Sequence, residues 1–370
     1  MFSKRAQWNA AVNRLTLARD AYRGTLLDLT KSNPTTARID YPFDELADVM
    51  SHAARAAYDP QPLGITSARE AIARELACDA RDVVITASTS EAYSFLFKLL
   101  CDPGDAVLTA KPSYPLLEHL AALELIDLHY FPLEFHKRWE VNPLRISEAL
   151  TDRTCAIVVV NPNNPTGSYV REPEQDAIAR FGLPVISDEV FHPFAFGDPA
   201  PSFVRDDVLT FTLGGLSKSA GLPHYKLGWI RVSGPGKTEA IAALELIADN
   251  FLSVATPVQV ALPKLLAIAP RIREAIRART SANLAALRTT IATYPAASVL
   301  PVEGGWSAVI RVPRIESDEA LALRLIEEHG VIVHPGYFFD FDADGYIVVS
   351  LLTEPEIFRE GIRRIIAARS

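Results

Sequence analysis

The chain has 370 residues, of which 49% are hydrophobic and 22% charged, a composition typical of a globular protein rather than a disordered or fibrous one. Its 37 Lys and Arg residues against 45 Asp and Glu residues give a net charge of −8, which predicts small molecules as partners, not nucleic acid or anionic membranes. No apolar run reaches the ~18 residues of a membrane span.

Cysteine usage and the start of the chain both favour a reducing location. The three cysteines, Cys78, Cys101 and Cys155, are odd in number and far apart, so no disulfide framework is indicated. The first residues, MFSKRAQWNAAVNR, are amphipathic and charged, unlike a signal peptide. We therefore expect a cytoplasmic protein, and we predict no metal site.

Short apolar runs rich in β-branched residues alternate with helical patterns along much of the chain. Apolar residues recur at helical spacing from 67 to 76 and from 91 to 100. This alternation predicts an α/β fold with a largely parallel sheet covered on both faces. The predicted strands, in chain order, are DVVITAS from Asp82, AVLTA from Ala106, CAIVVVN from Cys155, LPVISDEV from Leu183, VLTFTLGGLS from Val208 and LGWIRVS from Leu227.

A long helical pattern runs from about Pro270 to Tyr294 and is followed by strands around GGWSAVIRV and GYIVVSLL. We place a domain boundary near its start. The predicted organisation is an N-terminal segment (1–37) that joins the small domain, a large domain (38–268) and a small C-terminal domain (269–370).

Three polar segments each follow a predicted strand, where open α/β sheets place their ligands. The loop 161–167 reads NPNNPTG, which could also be a tight connection alone. Asp188 ends the run LPVIS, and a buried acid there needs a partner unless it caps a helix. Lys218 lies in the small-residue turn GGLSKSAG, although a lone lysine is usually a solvated surface group.

Together the three segments are far more specific than any one, because 24 residues separate Asn164 from Asp188 and 30 separate Asp188 from Lys218. In this order and spacing the sequence resembles the class I/II aminotransferases of pyridoxal 5'-phosphate (PLP) fold type I. The resemblance extends to YDPQPLG (58–64), TASTSEA (86–92) and DPGDAVL with PSY (102–114). It implies a mostly parallel seven-stranded sheet in a large PLP-binding domain, plus a smaller α+β domain.

The resemblance assigns the chemistry of the cofactor to three residues. Lys218 would hold PLP as a Schiff base and later move the α-proton of the substrate, which makes it the catalytic residue. Asp188 would pair with the ring nitrogen and keep it protonated. Asn164 would hydrogen-bond the phenolic oxygen of the ring.

The resemblance also implies how the rest of the cofactor is bound. Tyr114 would stack on the ring, with a core tyrosine as the alternative, and Tyr58 would reach the phosphate of a neighbouring subunit, which predicts a homodimer. The phosphate would bind at a helix start, where an ordinary N-cap is the other interpretation of the same residues. The residues assigned to this helix start are Ser88, Thr89 and Ser90, and Ser217 and Lys226 complete the predicted cofactor-binding set.

Four positions depart from the family pattern. Lys226 stands where a phosphate-binding arginine is usual, so the bidentate fork is lost, and Gly215 replaces a phosphate-binding serine. Phe191 replaces a tyrosine that would hydrogen-bond the phenolic oxygen. The largest departure is Val348, because an arginine at this position usually clamps the α-carboxylate of the substrate.

Another cation could take that carboxylate, or the substrate could bind differently. The candidates are Arg311, Lys31 and Arg38, although a solvated surface charge is the more common role for each of them. Three further polar groups of the small-domain half have no assigned role: His334, Tyr337 and Tyr346.

Transamination between an amino acid and a 2-oxo acid is the predicted reaction. A PLP-dependent lyase, decarboxylase or racemase is the alternative, and this alternative is favoured by the valine at position 348, where an arginine is usual. A non-catalytic or regulatory PLP-binding domain is a weaker hypothesis, since only about 25 residues precede the resemblance. The segments GGWSAV and PGYFFDF favour aromatic or aliphatic substrates.

Overall fold

The computed structural model describes residues 3, 5 and 11–368. The beginning of the predicted N-terminal segment, including most of the stretch that is unlike a signal peptide, and residues 369 and 370 of the predicted small domain lie outside the described residues. The strands, in chain order, are β1 (Leu27–Asp28), β2 (Val83–Thr86), β3 (Ala106–Lys111), β4 (Asp127–Pro132), β5 (Glu134–Phe135), β6 (Trp139–Glu140), β7 (Thr154–Val160), β8 (Val185–Asp188), β9 (Thr210–Gly215), β10 (Gly228–Ser233), β11 (Ser298–Val299), β12 (Ser307–Arg311), β13 (Val331–Ile332), β14 (His334–Pro335) and β15 (Tyr346–Ser350).

The helices of the described chain alternate with these strands in the first part and dominate the second. In chain order they are α1 (Arg14–Ala21), α2 (Phe43–Ala53), α3 (Thr66–Leu76), α4 (Thr89–Leu100), α5 (Leu116–Leu123), α6 (Pro143–Ala149), α7 (Glu172–Ala179), α8 (Leu216–Ser219), α9 (Lys237–Asp249), α10 (Thr256–Ile291), α11 (Asp318–His329) and α12 (Pro355–Ala367).

A seven-stranded sheet in the order β2-β10-β9-β8-β7-β3-β4 forms the centre of the larger part. Only β10 runs antiparallel to its neighbours, so the predicted mostly parallel α/β sheet is confirmed. All six predicted strands are found in it. The edge strand β4 was not predicted, because its sequence DLHYFP mixes polar and aromatic residues and is only partly buried.

Both faces of this sheet are covered by apolar packing. Along β7, Ala156 and Val158 pack on one side with α4 and α9, whereas Ile157 and Val159 pack on the other side. This alternation follows from the period of two of a strand, and strands buried on both faces are continuously apolar. The composition of the predicted strands therefore has a direct structural cause.

A second, four-stranded antiparallel sheet has the order β11-β12-β15-β14. One face packs with α1, α11 and α12, and the other face meets the larger sheet through residues such as Val309 and Val348. The N-terminal β1 pairs in parallel with β13, which ties the beginning of the described chain to this smaller part.

The long helix begins earlier than predicted. The helical pattern was placed from about Pro270, but α10 starts at Thr256 and passes through Pro263 and Pro270 without a break. Proline removes one backbone hydrogen bond, yet the apolar face of this helix packs against α2 and α3 and offsets the loss. Tertiary packing has overridden the local signal.

The predicted domain boundary between residues 268 and 269 falls inside α10 and stays a prediction. The N-terminal half of the helix belongs to the apolar cluster around Ile272, and its C-terminal end to the cluster around Leu287. In the described part of the chain, no helix combines the length and the apolar character that a membrane crossing requires.

Candidate active site

The polar segments singled out in the sequence meet at one edge of the large sheet. Strands β2, β7, β8 and β9 are parallel, so their carboxyl ends lie together. Register places Asp188 between Val160 and Leu213. Gly228 of β10 lies opposite both Thr86 and Gly215. The fold thus brings the ends of four distant segments to one edge of the sheet.

Asp188, the last residue of β8, is a carboxylate in an apolar setting. Its Oδ2 accepts a hydrogen bond from Tyr93 Oη at 3.1 Å, and its Oδ1 accepts one from the backbone N–H of Val190 at 3.2 Å. Burial raises its pKa to about 6, against these two hydrogen bonds and the more distant charge of Lys218, which lower it. Among the described residues no Lys or Arg forms an ion pair with it.

Lys218 is the third residue of α8, directly after β9. Its Nζ donates to the carbonyl oxygen of Ser32 at 3.3 Å and lies 5.9 Å from the ring centre of Phe191 and 5.3 Å from that of Trp306. Burial lowers the pKa of this amine, while the charge of Asp188 acts in the opposite direction. A lysine of lowered pKa carries more of the neutral, nucleophilic form.

The start of α4 presents backbone N–H and hydroxyl groups. Ser88 is the N-cap, and its Oγ accepts the N–H of Glu91 at 3.2 Å, while Thr89 and Ser90 form the first turn. A Cβ on Gly228 would lie 2.9 Å from the carbonyl carbon of Ser88, so β10 passes directly against this turn. A helix start with these donors favours a phosphate.

The three asparagines of the 161–167 loop differ in burial and in their hydrogen-bond partners. Asn161 and Asn163 are buried, and their side chains hold the loop through Val170 N and the carbonyl of Pro112, respectively. Asn164 is half-buried, and its Oδ1 accepts a long hydrogen bond of 3.4 Å from Ser307. Its side chain therefore faces the smaller sheet and is not part of the loop scaffold.

The remaining predicted residues lie around the rim. Tyr114 is 51% exposed with its ring 6.4 Å from that of Phe339, and Ser217 is half-buried beside Lys218. Lys226 is exposed and adopts a left-handed φ of 47°. Tyr58 is 73% exposed and lines a separate surface pocket of about 370 Å³. The fold brings Lys218 and Asp188 within electrostatic influence of each other, whereas Tyr58 projects away from its own chain.

Comparison with known proteins decides the family. The family model described as "Aminotransferase class I and II" matches residues 25–365. The chain belongs to the class I and II aminotransferases. In solved structures, an alanine aminotransferase from Pyrococcus furiosus superposes with a TM-score of 0.89 at 24% identity, covering 100% of this chain and 99% of that one. A tyrosine aminotransferase from Leishmania infantum gives 0.84 at 20%, covering 98% of both chains. These likenesses confirm the fold.

The curated relatives of this aminotransferase are matched over a smaller share of the two chains than the solved structures are. Nicotianamine aminotransferase 1 of Oryza sativa subsp. japonica is 32% identical over 56% of this chain and 45% of its own length. S-alkyl-thiohydroximate lyase SUR1 of Arabidopsis thaliana is 32% identical over 60% and 52%. Tyrosine aminotransferase of Homo sapiens is 25% identical over 80% and 69%. The matched part thus spans about half the length of the first two relatives.

The structure shows what surrounds Val348, the position that departs most from the aminotransferase pattern. Val348 is only 1% exposed, and its neighbours in the sheet are Val309 and His334. Burial lowers the pKa of His334, which favours a neutral ring there. This face is packed with apolar side chains such as Phe339 and Phe341. In the described part of the chain, the sheet neighbours of Val348 thus include no lysine or arginine that could replace the absent guanidinium.

The three candidate cations lie elsewhere. Lys31 Nζ bonds both carboxylate oxygens of Glu354, at 2.8 and 2.7 Å, and the Nε of Arg38 lies 3.9 Å from the same group. Arg311 is exposed at the end of β12, opposite Tyr346. Lys31 belongs to the segment that crosses Lys218, but its charge is directed to the start of α12.

Sequence reasoning missed four residues of the site. Tyr93 looked like part of the apolar face of α4, and the aromatic Trp306 and the hydroxyl of Ser307 carried no sequence signal beyond GGWSAV. Glu189 is 8% exposed and accepts hydrogen bonds from Ser187, Ser202, Asn161 and the backbone of Phe203. Only its place beside Asp188 could have indicated it.

Proposed function

We propose that this protein is a PLP-dependent aminotransferase that moves an amino group between an amino acid and a 2-oxo acid, with Lys218 as the amine that binds the aldehyde of the cofactor. The observation that carries the proposal is the half-buried Asp188, an anion without an ion-pair partner in the described chain, close enough to Lys218 for each charge to influence the pKa of the other group. Neighbouring groups whose pKa values are perturbed in this way are typical of active sites.

The residues present fit PLP. Asp188 would receive the ring N–H, Asn164 the phenolic oxygen and the ring of Tyr114 one face of the cofactor. The phosphate would bind at the start of α4, supported by the close passage of Gly228. Its proposed contacts are Ser88, Thr89, Ser90, Ser217 and Lys226. When bound, PLP accepts the electron pair released at the α-carbon of the substrate.

The chain itself would then supply binding and proton transfer. Lys218 Nζ would take the proton from the α-carbon of the substrate and act as the acid that returns a proton during the amino transfer. The rings of Phe191 and Trp306, both close to Nζ, exclude water from this step. Asp188 remains an anion throughout and stabilises positive charge on the ring nitrogen.

The test is a cofactor and donor screen with matched lysine variants. The purified protein supplied with PLP should absorb in the visible range, and amino donors should convert the cofactor to its amine form while releasing 2-oxo acids. Lys218→Ala should lose the covalent adduct, whereas Lys264→Ala, an exposed lysine on α10, should keep it. A Lys218→Ala protein that still turns over donors at the unmodified rate would refute the assignment.

A lyase is the second candidate, because one of the relatives at 32% identity carries the name S-alkyl-thiohydroximate lyase. The absence of a guanidinium at Val348 is compatible with a substrate that is not held by its α-carboxylate. The two reactions leave different products. Transamination converts the cofactor to its amine form, whereas elimination returns it unmodified, so one absorbance experiment with each donor distinguishes them.

A cytoplasmic homodimer with a shared active site completes the proposal. Tyr58 is 73% exposed, and the neighbouring Phe251 and Leu252 are also exposed, which indicates an interaction surface. If Tyr58 serves the site of a partner copy, Tyr58→Ala and Lys218→Ala chains should restore activity when mixed, since one hybrid site keeps both residues. Activity that stays at the sum of the separate variants would contradict a shared site.

A further inference from the structure

One hydroxyl in the core has Asp188 as its hydrogen-bond partner. Tyr93 lies on the buried face of α4, with 6% of its surface exposed, one turn after the proposed phosphate site. Its Oη donates to Asp188 Oδ2 at 3.1 Å, which is slightly longer than the usual O–H···O hydrogen bond but still within hydrogen-bond distance. The ring packs 5.9 Å from that of Phe97, which phenylalanine could do equally well. The hydroxyl therefore needs its own explanation.

We propose that Tyr93 is a positioning residue that holds Asp188 ionised and aimed at the ring nitrogen of the cofactor. This inference rests on the proposed function, because it assigns a role toward the cofactor that Asp188 is proposed to bind.

The argument starts from the acceptor capacity of the carboxylate. Each oxygen can accept about two hydrogen bonds. Tyr93 occupies one site on Oδ2, and the N–H of Val190 occupies one on Oδ1, so each oxygen keeps one site for another donor. The two bonds also fix the rotation of the carboxylate about its side chain. The remaining sites thus have a defined direction before any cofactor arrives.

The chemical nature of the donor matters as much as its position. Burial and the adjacent carboxylate raise the pKa of Tyr93 well above its ordinary value, so the phenol is a neutral donor at neutral pH. A neutral donor stabilises the negative charge without cancelling it, whereas a lysine or arginine there would neutralise it. Asp188 keeps its full attraction for a protonated ring nitrogen.

The experiment compares two ligands that differ at the ring nitrogen only. Wild-type protein and Tyr93→Phe are titrated with PLP and with 1-deazapyridoxal 5'-phosphate, which carries a C–H in place of that nitrogen. Since a hydrogen bond to a charged group is lost, the affinity of Tyr93→Phe for PLP should fall about tenfold. The affinity of Tyr93→Phe for the deaza analogue should equal that of the wild-type protein, because the C–H of this ligand donates no hydrogen bond to Asp188.

A matched control removes a different buried hydroxyl. Tyr169 is 2% exposed and donates to the backbone carbonyl of His192 at 3.0 Å, so Tyr169→Phe loses a comparable hydrogen bond. It should bind both ligands with the wild-type preference. A second variant, 3-fluorotyrosine at position 93, keeps the hydroxyl as a stronger donor and should increase the preference for PLP over the analogue.

The outcomes separate the inference from the proposed function. Equal loss of both ligands by Tyr93→Phe, or no loss of either, would overturn the role of Tyr93 and reduce it to a core residue. If Tyr93→Phe does not fold, the 3-fluorotyrosine protein decides the question. An unchanged preference for PLP over the analogue in that protein would also overturn the role of Tyr93. If wild-type protein forms no adduct with PLP through Lys218, the proposed function itself has failed.

Discussion

Removal of the charge of Asp188 should stabilise the cofactor-free protein at neutral pH and destabilise it in acid. Burial raises the pKa of this carboxyl from its ordinary 3.8 to about 6. The folded protein therefore binds the proton more tightly than the unfolded chain, and ionisation costs the folded state free energy. This cost is absent below about pH 3.8, grows up to about pH 6 and is complete above it.

The magnitude follows from the same two values. A pKa difference of about two corresponds to roughly 3 kcal/mol of lost stability at neutral pH. In Asp188→Asn the amide oxygen can still accept from Tyr93, but the amide nitrogen cannot accept the N–H of Val190, which costs about 1 kcal/mol at every pH. The net expectation is a gain of about 2 kcal/mol above pH 6 and a loss of about 1 kcal/mol near pH 4.

Urea unfolding of the cofactor-free protein across this pH range measures the difference. Asp127→Asn is the control, because this aspartate at the start of β4 is exposed and its replacement removes no charge from the interior. A constant difference between wild-type protein and Asp188→Asn at all pH values would refute the reasoning, since it would mean that burial does not disfavour the charge. Added PLP should reverse the order of stability at neutral pH.

Three further predictions concern residues around the cleft. Gly228→Ala should weaken PLP binding in equilibrium dialysis, because the new Cβ would lie 2.9 Å from the carbonyl carbon of Ser88, whereas Gly197→Ala, with open space around it, should bind normally. Phe191→Tyr adds a hydroxyl near Lys218 and should move the pKa of the cofactor absorbance; an identical titration curve would dismiss this effect. Lys31→Ala breaks a pair in which the side chains are only 22% and 14% exposed, so thermal unfolding should show a loss of about 2 kcal/mol, and additional removal of Glu354 should recover part of it.

The parts of the fold that could be predicted are those with a local cause. The six strands of the main sheet are buried on both faces, which demands the apolar, β-branched runs that predicted them. The start of α10 could not be predicted, because Pro263 and Pro270 are strong local signals against a helix and only its packing against α2 and α3 outweighs them.

In the candidate site too, the residues with a local sequence signal could be predicted and those defined by tertiary contacts could not. Lys218, Asp188 and Asn164 could be proposed because they follow strands in a specific order, and the structure places the ends of those strands at one edge of the sheet. Tyr93 could not be found, since a tyrosine on an apolar helix face resembles any core aromatic. The pairing of Lys31 with Glu354 joins residues more than 300 positions apart, and only tertiary structure reveals it.

Helix α4 contributes at both ends of the proposed cofactor, with Ser90 in its first turn and Tyr93 on Asp188. The helix fixes the distance between these two residues, because three residues advance about 4.5 Å along its axis. Any change in the number of residues between Ser90 and Tyr93 also rotates the side chain of Tyr93 about the helix axis. One residue inserted between Ser90 and Tyr93 would rotate the phenol by about 100° away from Asp188 while leaving the helix start in place. Natural or designed variants of this chain can therefore change the composition of this turn but not its length.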